Sequence, residues 1–294
     1  MRKFIVNIII FFAIIWVADI GLGAILDKIA YNAKSGGQQI NNHITYKANE
    51  EIIIMGSSRA SHHYIPQIIN DSLKMSSYNM GQDAMGIILM YGRYKLLTER
   101  YDPKIIVYDI NEFFDLGKND NIKYIAKLRQ NYDNTEIKNI FNTIDKKEST
   151  KMYSKLYRYN SRSINVLQNA LSASKNDQKG YLPLYGTMDY EPRKTPKEKI
   201  EYDSIKLKYL EELIIGCKNK SKLVFAISPT YFEEEYDIKP LNSLCIKYNI
   251  PILDYSKDER FIEKKELFKD CTHLNDEGAK LYTNIIIQEI KKLL

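Results

Sequence analysis

The chain has 294 residues, of which 44% are hydrophobic and 27% are charged, and its formal net charge is +6. These proportions are typical of a folded globular protein and exclude a disordered chain. The lysines and arginines are scattered without a dense basic stripe, which argues against nucleic acid as a partner. The three cysteines, Cys217, Cys245 and Cys271, provide no disulfide framework, because at most one pair could form.

The N-terminal residues predict a membrane segment. Two basic residues precede an apolar run, Phe4 to Leu26, which only Asn7 and Asp19 interrupt. A helix over this run spans roughly 34 Å, enough for the core of a bilayer, and basic residues before it favour a cytoplasmic N-terminus. We expect residues 1–27 to be an uncleaved anchor, with the rest of the chain on the extracytoplasmic side. A cleaved signal peptide is the alternative, because Gly21–Ala24 supplies small residues for a cleavage site.

The residues after this segment suggest a linker and then one domain. Residues 28–50 are polar, and their Ser-Gly-Gly-Gln-Gln sequence is typical of a flexible linker. We expect a single domain at 51–294 that contains a helical, tyrosine-rich insertion at about 116–200. The insertion is rich in Lys, Asn and Tyr. Its helical periodicity is weak, and it occurs at Ile122–Leu128 and Tyr153–Leu171.

An apolar run, Ile52–Met55, leads into Gly56, Ser57 and Ser58 and predicts a buried parallel strand. A helix is expected after it, over Ser61–Leu73. A serine beyond the carboxyl end of such a strand lies where α/β folds bind ligands. Most serines in this position only cap the following helix, so this stretch alone does not establish a function.

Four more strands, separated by helical patterns, are expected further along the chain. Because strands and helices alternate, the sequence predicts an α/β fold, a three-layer α/β/α sandwich with a five-stranded parallel sheet. The predicted strands are Ser77–Met80, Ile105–Tyr108, Lys222–Ile227 and Ile252–Tyr255. The predicted helices are Ala84–Glu99, Tyr202–Cys217, Ile238–Tyr248 and Asn275–Leu293.

Near the end of the chain, Asp270 lies three residues before His273. In a short turn of this kind the carboxylate can hold one imidazole nitrogen, while the other nitrogen faces a nucleophile. A serine hydroxyl needs such a base because it is otherwise a weak nucleophile. The chain therefore contains the parts of a catalytic triad in the order Ser, Asp, His.

These motifs resemble those of the SGNH (GDSL-like) hydrolase family. The resemblance covers roughly residues 50–115 and 200–294, and the first block has Gly-Ser-Ser where the family has Gly-Asp-Ser. The matching blocks are Gly56-Ser57-Ser58, Asn79-Met80-Gly81, Tyr108-Asp109-Ile110-Asn111 and Asp270-Cys271-Thr272-His273. The resemblance implies a flavodoxin-like sandwich with strand order 2-1-3-4-5.

The family pattern selects Ser58 over Ser57 as the nucleophile, with Asp270 and His273 as its partners. A backbone N–H at a helix start, a glycine N–H and an asparagine NH2 group can together stabilise an oxyanion. We therefore expect Ser58, Gly81 and Asn111 to be the oxyanion donors. The sequence contains no metal motif and no phosphate-binding loop, and no cofactor is expected.

The residues beside the serine leave alternatives open. Arg59 either binds an anionic group of the substrate or pairs with a carboxylate of the core. His62 and His63 are expected to turn away from the serine and to lie on the surface or at the cleft. The tyrosines of the insertion either stack on a sugar or belong to helices packed at the edge of the core.

The resemblance implies a serine esterase that acts on O-acyl esters, acetyl esters in particular, of a cell-envelope or other carbohydrate. The reaction would pass through an acyl-serine intermediate. Two alternatives remain open. One is an O-acyltransferase that works with an integral-membrane acyltransferase partner, and the other is an inactive, carbohydrate-binding protein of the envelope that has kept the fold.

Overall fold

The computed structural model of the chain describes residues 1–160, 162–172, 178–194 and 199–294. The α-helices are α1 (Arg2–Tyr31), α2 (Gly36–Tyr46), α3 (Ser58–His63), α4 (Pro66–Leu73), α5 (Ile87–Thr98), α6 (Asn121–Ile125), α7 (Thr135–Ile144), α8 (Lys146–Lys151), α9 (Ser163–Leu171), α10 (Ser204–Cys217), α11 (Lys239–Tyr248) and α12 (Asp276–Leu293). The strands are β1 (Ile52–Gly56), β2 (Ser77–Asn79), β3 (Ile105–Asp109), β4 (Lys222–Ile227) and β5 (Ile252–Asp254). A π-helical turn covers Glu112–Leu116, and 3₁₀ turns cover Ala126–Asn131, Leu156–Tyr159 and Lys265–Leu267.

The five strands form one parallel sheet in the order β2-β1-β3-β4-β5. The predicted α/β class, the five-stranded parallel sheet and the strand order are therefore confirmed. The pairing is in register at the carboxyl edge, where Gly56 of β1 lies opposite Asp109 of β3 and Asp109 lies opposite Ala226 of β4. Residues that follow these three strands consequently meet at one edge of the sheet.

Helices cover both faces of the sheet. On one face, alternate strand residues such as Ile54, Val107 and Val224 pack in a single core with Tyr282 and Ile286 of α12. Helix α12 contacts both α3 and α4 on this side, while α5 and α10 pack together and reach β1 and β4. Strand residues on both faces are buried, as expected for a parallel sheet covered on both sides.

The chain divides into two compact units. We call Ala48–Asp120 with Asn176–Leu294 the sheet unit, and Met1–Lys47 with Asn121–Lys175 the helical unit. In the helical unit, α1 packs on α9 and on the 3₁₀ turn Leu156–Tyr159.

Helix α1 is long and apolar enough to span a membrane. Most of its large apolar side chains up to Ile25 are exposed. An N-terminal helix of this kind can anchor a protein in a membrane, and a signal sequence can meet the same criteria of length and hydropathy.

The structure differs from the predicted linker at residues 28–50. Helix α2 forms there, because Ile40 and Ile44 lie one turn apart and are buried on the same face. Polar residues on this helix are also buried, and Asn42 donates to the carbonyl of Ala30 at 2.8 Å. Such satisfied polar residues have the composition of a linker, although they belong to a packed helix.

Two further segments differ from the predicted elements. The helix expected at Ser61–Leu73 is broken at Tyr64 and Ile65, which are both extended. Ile65 is kept out of the helical region because it precedes Pro66. Within the predicted insertion, the described helices end at Leu171, and α7 and α8 were not predicted. Residues 178–194 belong to the sheet unit. The parts of the insertion at 161, 173–177 and 195–198 lie outside the described residues.

Gly56 is the position at which the turn after β1 requires glycine. Its φ is +138°, and a Cβ atom there would lie 2.4 Å from the carbonyl oxygen of Asp109. We expect Gly56→Ala to lower the free energy of unfolding by more than about 3 kcal/mol, because strain and a backbone clash add. Gly186→Ala is the matched control. Gly186 has a φ of +81°, but its Cβ would approach only the flexible Lys269 ammonium, so we expect a loss of about 1 kcal/mol.

Urea unfolding of the full chain in detergent, followed by circular dichroism, measures both losses. Equal losses in the two variants would contradict the assigned clash with Asp109.

Candidate active site

The predicted serine and histidine are in contact. Ser58 is the first residue of α3, two residues beyond β1, and its Oγ lies 2.7 Å from Nε2 of His273. The neighbouring Ser57 points elsewhere: its hydroxyl is buried and has no hydrogen-bond partner among the described residues. The structure thus brings Ser58 rather than Ser57 to the histidine.

The turn that holds His273 is built by Asp270. One carboxylate oxygen accepts the backbone N–H groups of Thr272 at 2.8 Å and of His273 at 2.9 Å, which closes the turn locally. The other oxygen lies 2.9 Å from Nδ1 of His273. A carboxylate only accepts, so Nδ1 carries the proton and Nε2 presents its lone pair to the Ser58 hydroxyl.

Electrostatics keep Asp270 ionised. Burial by itself would raise its pKa, but hydrogen bonds from His273 and Thr272 outweigh burial and hold the pKa well below the usual range. The carboxylate is therefore charged at neutral pH and can stabilise a positive charge on the imidazole of His273.

Gly81, predicted as an oxyanion donor, is buried and does not line the cavity beside Ser58. Its N–H donates to Oδ1 of Asn79 at 3.0 Å. A Cβ atom at Gly81 would lie 2.7 Å from the backbone nitrogen of Ser61. The glycine is thus explained by the close approach of α3, and its N–H already has a partner.

Asn111, predicted as an oxyanion donor, lines the cavity. Its Oδ1 caps the π-helical turn by accepting the N–H groups of Phe113 and Phe114, each at 3.1 Å. In the described part of the chain, its NH2 group forms no hydrogen bond, which leaves this donor for a ligand. Sequence reasoning missed the residue that holds Asn111: the buried carboxylate of Asp115 accepts the N–H of Asn111 at 2.7 Å.

Arg59 was predicted either to bind substrate or to pair with a core carboxylate, and the structure shows the second arrangement. The guanidinium is 3% exposed, and its Nε lies 3.4 Å from Oδ1 of Asp109. It donates to the hydroxyl of Tyr236 at 2.8 Å and to the carbonyl of Ile110. Arg59 still borders the cavity, but its charge is engaged by the protein.

The prediction that His62 and His63 turn away to the surface or the cleft is correct only for His62, which lines the cavity although it is buried. Its Nδ1 donates to the carbonyl of Leu182 at 2.6 Å, and its Nε2 lies 3.2 Å from Asp83. Burial lowers the pKa of His62, but these two acceptors outweigh burial and raise it. His63 is fully buried, so its predicted surface position was wrong. The short helix α3 is covered on both sides, which its sequence does not reveal.

The cavity has a volume of about 490 Å³, within the usual range for small-molecule sites. Its aromatic wall is formed by Phe113, Phe114 and Tyr236. Two tyrosines of the predicted insertion have protein partners in the sheet unit: Tyr181 donates to Asp276, and Tyr190 lies near Cys271.

No group of three or more His, Cys, Asp or Glu side chains within the described ranges could hold a metal ion. The functional groups at the candidate site are a serine hydroxyl, an imidazole and a carboxylate, each within hydrogen-bond distance of the next. In comparisons with known proteins, no family model and no curated protein matches the chain. The resemblance to the SGNH family therefore stays a prediction that rests on the four motifs.

Asp115 generates a prediction about pH. Burial raises its pKa to about 6, although Tyr108 and the N–H of Asn111 donate to it. Its unfolded pKa is about 3.9, so the folded protein holds the proton more tightly, and this contribution to stability is lost as pH rises from about 4 to about 6. We expect Asp115→Asn to reduce the fall in unfolding free energy over this range by up to about 3 kcal/mol.

Urea unfolding of both proteins at pH 4 and pH 7 checks this, with Asp71→Asn on the exposed face of α4 as the control substitution. A pH dependence that Asp115→Asn leaves intact would contradict the assignment.

Proposed function

We propose that this chain is a serine-dependent acyl-transfer enzyme that acts on O-acyl esters, acetyl esters in particular, of a cell-envelope or other carbohydrate. The contact of 2.7 Å between Ser58 Oγ and His273 Nε2 carries the proposal, because it joins a hydroxyl to a base that a carboxylate already orients. The SGNH resemblance supports the same chemistry, and the proposal of a carbohydrate ester as the substrate comes from this resemblance.

In the proposed mechanism, the Ser58 hydroxyl attacks the ester carbonyl while His273 Nε2 takes its proton. Asp270 stabilises the imidazolium that forms. His273 then returns the proton to the leaving alcohol, and the acyl group remains on Ser58. Water, activated by His273 in the same way, releases the acid and restores the serine.

The oxyanion needs donors that face the attacked carbonyl. The NH2 group of Asn111 and the N–H of Ser58, at the start of α3, are the donors that the geometry favours. Gly81 would contribute only if its N–H exchanged Asn79 for the substrate, since these two residues are bonded to each other. The aromatic wall at Phe113 and Phe114 supports a sugar ring as the bound group.

Transfer to a second alcohol in place of water is the second candidate function. The observation that favours it is α1, a helix that can hold the enzyme beside an integral-membrane acyltransferase. Competition between water and an added alcohol for the acyl-enzyme separates the two functions.

We propose further that α1 is retained as an anchor and that the sheet unit is extracytoplasmic. The carboxylate of Asp19 accepts hydrogen bonds from the Ser154 hydroxyl at 2.5 Å and from the N–H groups of Lys155 and Leu156 at 2.8 and 3.1 Å. A Cβ atom at Gly23 would lie 2.3 Å from that of Lys155. Cleavage after these residues would remove a helix on which the helical unit is built.

Ser58→Ala tests the proposed chemistry in the full chain in detergent. We expect labelling by a fluorophosphonate probe to disappear and ester turnover to fall on the order of 10⁴-fold, because the nucleophile is lost. Ser57→Ala is the matched control and should keep labelling within a few-fold of the unsubstituted protein. Labelling that persists in Ser58→Ala would contradict the proposed triad. A folded but unlabelled parent protein would favour the carbohydrate-binding alternative.

Retention of α1 is tested on protein expressed in cells and recovered from the membrane fraction. We expect an intact mass that includes residues 1–31. We also expect resistance to extraction by alkaline carbonate, because this treatment releases proteins held by charge but not a helix that spans the bilayer. A released protein that begins near Ala24 would show that the segment is a signal peptide.

A further inference from the structure

His63 is a fully buried histidine that the proposed mechanism does not use. It is the last residue of α3, and Ser58 is the first. Its side chain lies in the core with no exposed surface, and its ring is 6.3 Å from the ring of His273. A fully buried polar ring this close to the candidate base needs partners, and the structure provides one for each nitrogen.

The two partners fix the state of His63. The backbone N–H of Leu274 lies 3.0 Å from Nε2, and a backbone N–H can only donate, so Nε2 carries a lone pair. Nδ1 therefore carries the proton and donates to Oγ of Ser228 at 3.0 Å. Burial and the nearby His273 and Arg59 lower the pKa of His63 well below its ordinary value, so the ring is neutral.

These bonds tie together elements that carry the candidate triad. Leu274 follows His273 directly, and Ser228 follows β4. The carbonyl of His63 also accepts the hydroxyl of Thr283, on α12, at 3.2 Å. Through His63, helix α3, which carries Ser58, is thus attached to the residue after the candidate base, to α12 and to the end of β4.

We infer that His63 is a positioning residue: neutral, with its proton on Nδ1, it holds the Leu274 N–H and thereby fixes His273 against Ser58. The inference rests on the proposed function for its effect on rate. The hydrogen bond from the Leu274 N–H to the His63 side chain can itself be measured without any activity.

Three substitutions separate the two bonds of His63. In His63→Gln the side-chain oxygen reaches the place of Nε2 and can accept the Leu274 N–H. In His63→Asn the shorter side chain can meet only Ser228, and His63→Ala meets neither. We expect kcat and the rate of fluorophosphonate labelling to fall about 10- to 100-fold in Ala and Asn, with KM unchanged, because small misplacements of catalytic groups are costly. Gln should recover to within a few-fold of the parent.

A control for general loss of stability is Ile69→Ala, which truncates a fully buried residue of the same core on α4. We expect it to lower the melting temperature as much as His63→Ala does, with kcat within a few-fold of the parent. If His63 were only structural, kcat of the His63→Gln, His63→Asn and His63→Ala variants would fall in proportion to the loss in melting temperature of each. This result would overturn the inference.

Hydrogen exchange at the Leu274 amide tests directly whether the side chain of His63 accepts this N–H. We expect protection in the parent and in His63→Gln, and a loss of at least tenfold in His63→Asn and His63→Ala. Equal protection in all four proteins would overturn the inference whatever the activities are. If the parent is not labelled by the phosphonate, the proposed function fails. The exchange pattern still confirms or refutes the hydrogen bond between Leu274 and His63.

Discussion

The parallel pairing of β1 with β3 is the constraint on which the candidate site depends. It sets Gly56 opposite Asp109 so closely that no side chain fits between them. The backbone conformation open to glycine then turns the chain sharply, and α3 begins at Ser58 over the edge of the sheet. The register of β1 and β3, which their buried isoleucines fix, thus determines the position of the Ser58 hydroxyl.

Beneath α3, the ion pair of Arg59 with Asp109 anchors that helix to the sheet. Taking both charges out of water is costly, and such a pair contributes little net stability. The pair instead fixes a position, because the guanidinium also donates to the carbonyl of Ile110 and to the hydroxyl of Tyr236. Tyr64 completes the arrangement by donating to Asp109 at 2.6 Å. Burial raises the pKa of Asp109, while Arg59 and Tyr64 offset part of this effect.

Features encoded within a few residues were predictable from the sequence. Strands β1, β3, β4 and β5 lie in short apolar runs with turn signals, and the turn of Asp270 and His273 closes on its own hydrogen bonds. Other features depend on distant partners. The burial of His63 needs α12, the partner of Arg59 needs the β1–β3 register, and neither is visible locally. Helix α2 was missed because its buried asparagines and glutamine have the composition of a linker.

The partner of Gly81 illustrates the same limit. A glycine after a strand signals close approach by another part of the chain, and the sequence does not say which part. Here the approaching group is the backbone of α3, while the N–H is taken by the side chain of Asn79. The glycine is therefore required by packing against α3, a contact that the sequence does not reveal.

Ser58 and His273 are separated by 215 positions in the chain. Closing so long a loop is slow, and the face of the sheet that carries α3 stays open until α12 covers it. During synthesis the serine therefore emerges early and remains without its base until the chain through α12 has been made. Under the proposed function, a chain that ends before His273 carries Ser58 without the base that would activate it.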